Sequence, residues 1–324
     1  MSALNFEKTK GSKAVAVVRG GDDDGKILYL HTDAEAKRPA GGAGRADVNT
    51  VEYAGDLKHI KPSARLKVLA DMADAVGHDV APEAYKGAGA ADDVVKDVYR
   101  KMKDKASADT SIDLPSDSMF IPIPDPDPKA RQIWYAAGIS GSGKSFFARG
   151  IAENYKKLFP EREIYLVSKY PVDEDDTLGK MKVGKPKSIS LDSIVDDYPT
   201  VEEFKECLII FDDYDTLDAP YDKVVQKLID DLSIRGRHTA TSMCVLSHYL
   251  TNYKKTRLIL GEAHFIVLYP MATSFKAMKY VCEHHCGLTR DEVQALKKLG
   301  RWVCIHKVYP QYLISAHTAR LLNQ

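Results

Sequence analysis

One stretch constrains this chain more than any other: AAGISGSGKSFFARG, residues 136–150. Gly138 is followed by four residues and then by Gly143-Lys144-Ser145. Glycines at these positions let backbone N–H groups curl around an anion without side-chain clash. The lysine then reaches the β and γ phosphates of a nucleotide, and the serine hydroxyl holds Mg²⁺. The flanks suit that reading. Gln132 to Ala137 reads as a buried strand, and Phe147, Ile151, Tyr155 and Leu158 have helical spacing. The positive end of such a helix faces the anion. Strand, glycine loop and helix together predict a phosphate-binding loop. In it Gly138, Ser140, Gly141, Ser142, Gly143, Lys144, Ser145 and Phe146 hold ATP with Mg²⁺.

Length and composition bound the rest. A chain of 324 residues is about two domains or one large one. Its 46 basic and 46 acidic residues cancel, whereas a free-standing nucleic-acid binder carries an excess of Lys and Arg. Any nucleic-acid contact must therefore be local. The odd count of five cysteines argues against a disulfide scaffold and for a reducing, intracellular compartment. There is no apolar signal region and no run of eighteen apolar residues, so neither secretion nor a membrane span is expected.

Along the chain, residues 13–19 and 26–31 read as two strands joined by a turn, Gly20-Gly21-Asp22-Asp23-Asp24-Gly25. The three aspartates lack further oxygen ligands at cation-binding spacing and read as a solvated turn. Residues 37–46 read as loop. Helical periodicity appears at Leu66, Leu69, Met72 and Val76 and again at Val94, Val95, Val98 and Met102. Residues 1–115 are expected to form a small α+β region. Residues 116–130 are expected to be a proline-rich linker, because Ile121 to Pro128 alternates proline and each residue before a proline is pushed to extended conformations. Residues 131–324 then alternate strand and helix. Strands are expected at Ile164–Ser168, Leu208–Phe211, Met243–Ser247 and Phe265–Tyr269, with a helix over Tyr221–Ile234. Near-continuous apolar strands separated by helices predict a mainly parallel sheet covered on both faces.

The strand Leu208–Phe211 ends in Asp212-Asp213. A carboxylate at the end of an apolar strand orders Mg²⁺ and its water shell, and Asp212 fits. An adjacent acid can polarise an attacking water, and Asp213 fits. An extra strand lies between loop and acid motif, which suits a RecA-like core. Arg235 and Arg237 end the helix before the next strand, and that strand ends in Ser247-His248. Either arginine could complement the helix C-terminus or reach a neighbour's γ-phosphate.

The glycine loop, the IIFDD run, the GRH element (Gly236-Arg237-His238), the strand ending LSH and the downstream Thr256-Arg257 together resemble the packaging branch of the FtsK–HerA motors. Their nearest kin in this respect are the poxvirus-type ATPases of large DNA viruses. The resemblance covers about residues 133–270. It implies a RecA-like P-loop ATPase that forms a homo-oligomeric ring and drives double-stranded DNA into a capsid. Carried over, Lys144 and Ser145 bind nucleotide and Mg²⁺, Asp212 and Asp213 form the acid motif, and His248 is the γ-phosphate sensor. Arg237 is the finger, with Arg235 and Arg257 as alternatives. Two features depart from the family: Gln is commoner at the sensor, and Asp-Glu is commoner than Asp-Asp. A nucleotide-dependent assembly switch and a small-molecule kinase are the rival readings.

Beyond residue 270, Phe275–His285 reads as a helix, and a capping box at Thr289 and Glu292 opens a second one. The pair reads as a helical hairpin rather than a DNA-reading helix-turn-helix. Cys282-Glu283-His284-His285-Cys286 invites zinc, but a helix points these side chains apart. Strands are expected at Arg301–Ile305 and Tyr312–Ala316.

Overall fold

The computed structural model describes residues 2–32 and 111–322. The expected loop at 37–46 and the helical periodicities near Leu66 and Val94 lie outside the described residues. Residues 1–32 and 111–324 form one compact unit. The described N-terminal strands thus belong to the same unit as residues 111–322.

A ten-stranded sheet organises this unit. Its six-strand parallel part contains β6 (Ile133–Ala137), β7 (Ile164–Val167), β8 (Lys187–Ile189), β9 (Leu208–Phe211), β10 (Ser242–Ser247) and β11 (Phe265–Leu268). The spatial order is β11-β6-β10-β9-β7-β8. One strand, β10, thus separates the loop-bearing β6 from the acid-bearing β9, as the RecA-like reading expects. Four antiparallel strands extend the β11 side: β12 (Val303–His306), β13 (Tyr312–Ser315), β14 (Thr318–Leu321) and β4 (Ser111–Asp113). The sequence signalled β12 and β13. It did not signal β8 or β14, each only three or four residues long.

Successive residues of a strand face opposite sides, so one apolar run feeds two cores. Ile133, Tyr135 and Ala137 join one cluster with α2 (Leu191–Asp196), α3 (Tyr221–Arg235), α4 (Tyr253–Glu262), α5 (Phe275–Cys286) and α6 (Arg290–Leu296). Trp134 and Ala136 join the other, against α1 (Lys144–Leu158). Helices were expected to cover both faces, but α1 shares the second face with an antiparallel sheet. Its order is β1-β3-β2-β5, from β1 (Ala3–Asn5), β2 (Lys13–Arg19), β3 (Ile27–His31) and β5 (Met119–Pro122). Leu4, Val15, Val18, Leu28 and Phe120 supply its buried side. Strand β5 falls inside the expected linker. Pro122 is tolerated there because β5 is an edge strand, where a missing N–H costs no ladder bond.

Helices α5 and α6 pack on the core through Met278, Val281, Cys282, Val293 and Leu296, as a hairpin does. The Thr289–Glu292 capping box is present. Cys282 and Cys286 are buried on α5 while His284 is exposed, so the helix separates them. No metal-binding group of three or more residues occurs among the described residues. Nor, among them, is any helix long and apolar enough to cross a membrane.

Candidate functional site

The loop begins where β6 ends. The Gly138 N–H donates to the Ser247 carbonyl (3.0 Å), which holds the carboxyl ends of β6 and β10 level. A Cβ on Gly138 would come within 2.8 Å of both Ser142 Oγ and Tyr269 Cδ2, so only glycine fits. Gly141 and Gly143 have φ of 72° and 110°, in the left-handed region that other residues resist. Helix α1 starts at once at Lys144, and its first N–H groups have no intrahelical carbonyl to bond. Lys144 is 6 % exposed and curls over the loop, donating to the Gly138 carbonyl at 2.8 Å. Ser140 and Gly141 are exposed, Ser142 is buried, and the Phe146 side chain is 57 % exposed.

The acid motif faces this loop. Lys144 Nζ lies 3.6 Å from Asp213 Oδ1, and His248 Nε2 lies 3.0 Å from that same oxygen. Asp213 has φ of 47°, a left-handed conformation that aspartate tolerates better than most residues and that clusters at functional sites. A short 3₁₀ turn, Tyr214–Thr216, follows it, and Thr216 N donates to the Asp213 carbonyl at 3.0 Å. Asp215 on this turn had not been singled out from the sequence. Its Oδ2 accepts from Ser247 Oγ (2.7 Å), His248 N (2.9 Å) and Tyr249 N (3.2 Å). Asp215 therefore ties the end of β9 to the end of β10 and sets where His248 stands. The signal was present as a third acid in Asp212-Asp213-Tyr214-Asp215, but acid counting alone gives it no role.

Asp212 is buried deeper. Burial, with the Asp213 and Asp175 carboxylates nearby, pushes its pKa up to about 7, and Lys144 and the Ser145 hydroxyl offset this only in part. One Asp212 oxygen is buried without a hydrogen-bond partner, while Asp213 Oδ1 is shared by His248 and Lys144. An unpaired carboxylate oxygen of Asp212 beside the Ser145 hydroxyl is an all-oxygen donor set, which suits a hard cation such as Mg²⁺. Asp212 and Ser145 would hold that ion at the nucleotide.

The raised pKa sets a sign. Between about pH 4 and pH 7 the folded chain keeps a proton on Asp212 that the unfolded chain has lost, so this group's effect on stability becomes more unfavourable as pH rises. Asp212→Asn removes that cost. Without nucleotide and metal at pH 8, the variant should be more stable than the parent by about 2 kcal/mol, or ~4–8 °C in Tm. Melts at pH 8 and pH 5 check this. The gap should shrink on acidification.

The arginines are placed differently. Arg235 ends α3 and Arg237 follows it, both exposed, at the end of the sheet where β10 begins. The six residues of β10 put them about 20 Å from their own phosphate loop. Neither is needed as the α3 cap. Arg131 Nη1 already donates to the Leu232 and Ser233 carbonyls, at 3.0 and 2.8 Å. Arg257 lies midway along α4, the helix that joins the end of β10 to the start of β11, and is exposed. The structure thus brings Lys144, Ser145, Asp212, Asp213 and His248 together and leaves Arg235 and Arg237 at the other end of the chain's own sheet.

Another arginine does reach the loop. Arg301 donates from Nε to the Ser142 carbonyl (2.8 Å) and from an Nη to the Gly141 carbonyl (2.7 Å). It lies about 160 positions along the chain, so no local pattern in the sequence pointed to it.

No family model matches the sequence. The chain is 29 % identical over 227 residues to uncharacterized protein V3 of Sputnik virophage, covering 67 % of this chain and 90 % of that protein. Among solved structures it is similar to the genome packaging NTPase B204 of Sulfolobus turreted icosahedral virus 2, with 11 % identity, 56 % of this chain and 94 % of that one covered, and a TM-score of 0.39. It is also similar to the pCW3 conjugation coupling protein TcpA, with 13 % identity, 66 % of each chain covered and a TM-score of 0.37. These likenesses are distant. The fold is given by the chain's own geometry: a glycine loop between β6 and α1, an acid motif one strand away on β9, and a large sheet packed on both faces make it an α/β P-loop NTPase core.

Proposed function

We propose that this chain is an ATP-hydrolysing P-loop motor that translocates double-stranded DNA in viral genome packaging. One observation carries the catalytic half of this reading. Lys144 at the start of α1, Asp213 after β9 and His248 after β10 converge beside the loop, with Asp212 close to Asp213 and Lys144. The loop amides and Lys144 bind the phosphates. Ser145 and Asp212 would hold Mg²⁺, which would supply positive charge to the phosphates. Asp213 accepts the proton of the attacking water. His248, fixed through Asp215, donates toward the γ-phosphate and couples its presence to Asp213. The resemblance of the glycine loop, acid motif, GRH element and LSH strand end to packaging motors supports the DNA half. The neutral overall charge confines DNA contact to a local surface of a homo-oligomeric ring, with capsid proteins as further partners. Such a motor works inside the host cell or in the virion. Arg237, with Arg235 and Arg257 as alternatives, is the exposed arginine that would reach a neighbour's nucleotide.

The test is ATP turnover with and without double-stranded DNA, read beside the mass in solution. A motor assembles and is stimulated by DNA. Slow turnover indifferent to DNA would point to a nucleotide switch, and phosphate transfer to an acceptor by a monomer would point to a kinase.

A further inference from the structure

A cavity of about 190 Å³ opens beside the phosphate loop, between the first turns of α1, the edge strand β5 and Trp302. Its walls are mostly apolar: Met119 and Pro122 on one side, Phe146 and Trp302 on the others. Three features tie it to the nucleotide rather than to an unrelated partner. Phe146 directly follows Ser145, so the groove begins one residue past the end of the phosphate loop. Phe146 is also 57 % exposed, an uncovered aromatic face on the groove's wall. Trp302 follows Arg301, whose guanidinium is hydrogen-bonded to the loop carbonyls of Gly141 and Ser142. The loop's own clamp therefore fixes the position of Trp302. An edge-on contact with Phe147, with ring centroids 5.4 Å apart, holds the indole from behind.

The groove is built to stay open. A Cβ on Gly150 would come within 2.9 Å of Ile121 Cγ2, so glycine lets α1 approach β5 closely and form the floor. Arg149 and Glu153 at its rim bond each other at 2.8 Å and leave the aromatic faces as the main attraction.

We infer that this groove takes the nucleobase of the bound nucleotide, stacked against Phe146 and Trp302. The inference rests on the phosphate-loop reading above and adds the base subsite to it. Stacking of a base on an aromatic side chain is strong enough to change affinity by about tenfold or more.

Inorganic tripolyphosphate separates the two halves of the site, because it carries the phosphates and no base. With Mg²⁺ present, the full chain should bind ATP more tightly than tripolyphosphate. Phe146→Ala should weaken ATP about tenfold and leave tripolyphosphate unchanged. Trp302→Ala should do the same, and its unchanged tripolyphosphate binding would show that the loop is still formed. Should Trp302→Ala not fold, the exposed Phe146 decides the question alone. Equal affinity for ATP and tripolyphosphate, or a Phe146→Ala chain that keeps its preference for ATP, overturns the base subsite and leaves the phosphate loop standing. A wild-type chain that binds neither overturns both.

Discussion

Asp213→Asn should keep ATP bound and stop its hydrolysis. The substitution changes one carboxylate oxygen to an amide nitrogen and little else in shape. Asparagine tolerates the left-handed conformation that residue 213 adopts, at φ 47°, so the turn after β9 survives. The carboxamide cannot take a proton from water, and loss of a general base costs about 10²–10⁴ in turnover. Binding is spared because the phosphates are held by the loop and by Lys144, which keeps its bond to the Gly138 carbonyl at 2.8 Å. Single-turnover hydrolysis beside equilibrium ATP binding checks this. A variant that loses binding and keeps its rate per bound ATP would remove Asp213 from the chemistry and leave it a role in shaping the site.

That prediction could be written from the sequence because the acid pair sits at the end of a short apolar strand. Leu208–Phe211 has no other plausible fate than a buried strand, and a strand's last residue points its side chain at the ligand end of a parallel sheet. The glycine loop was legible for the same reason, since every fixed position acts locally. What the sequence hid was action at a distance. Asp215 matters because β10 lies beside β9, and Arg301 matters because the antiparallel strands return past the loop. Neither neighbour can be read from spacing along the chain. The N-terminal strands misled in the same way. They read as a separate region, yet Ala16 to Arg19 pair with Met119 to Pro122 and close over α1. A proline-alternating stretch marks an edge as well as a linker, and only the pairing partner tells the two apart.

The placement of the arginines shows how tertiary structure re-sorts residues of similar local appearance. Arg235 and Arg237 follow a helix and precede a strand, and so look like finger or cap. The cap is taken by Arg131, far away in sequence.

Release of phosphate from ATP by the wild-type chain and by Lys144→Ala is the most direct test of the central claim. Lys144 is buried, bonded to the loop, and 3.6 Å from Asp213, and it is the cation the loop aims at the β and γ phosphates. A charge-assisted hydrogen bond of this kind is worth about 1.5–3 kcal/mol, so ATP affinity should fall by ~10–150-fold. Turnover should fall to background, because the charge growing on the transferring phosphoryl group loses its partner. Both measurements belong at pH 8, where Asp212, with its pKa near 7, is largely ionised and able to hold the metal. Wild-type turnover with an inactive, folded Lys144→Ala chain is the predicted result. Equal phosphate release by the two chains would contradict the account at its root.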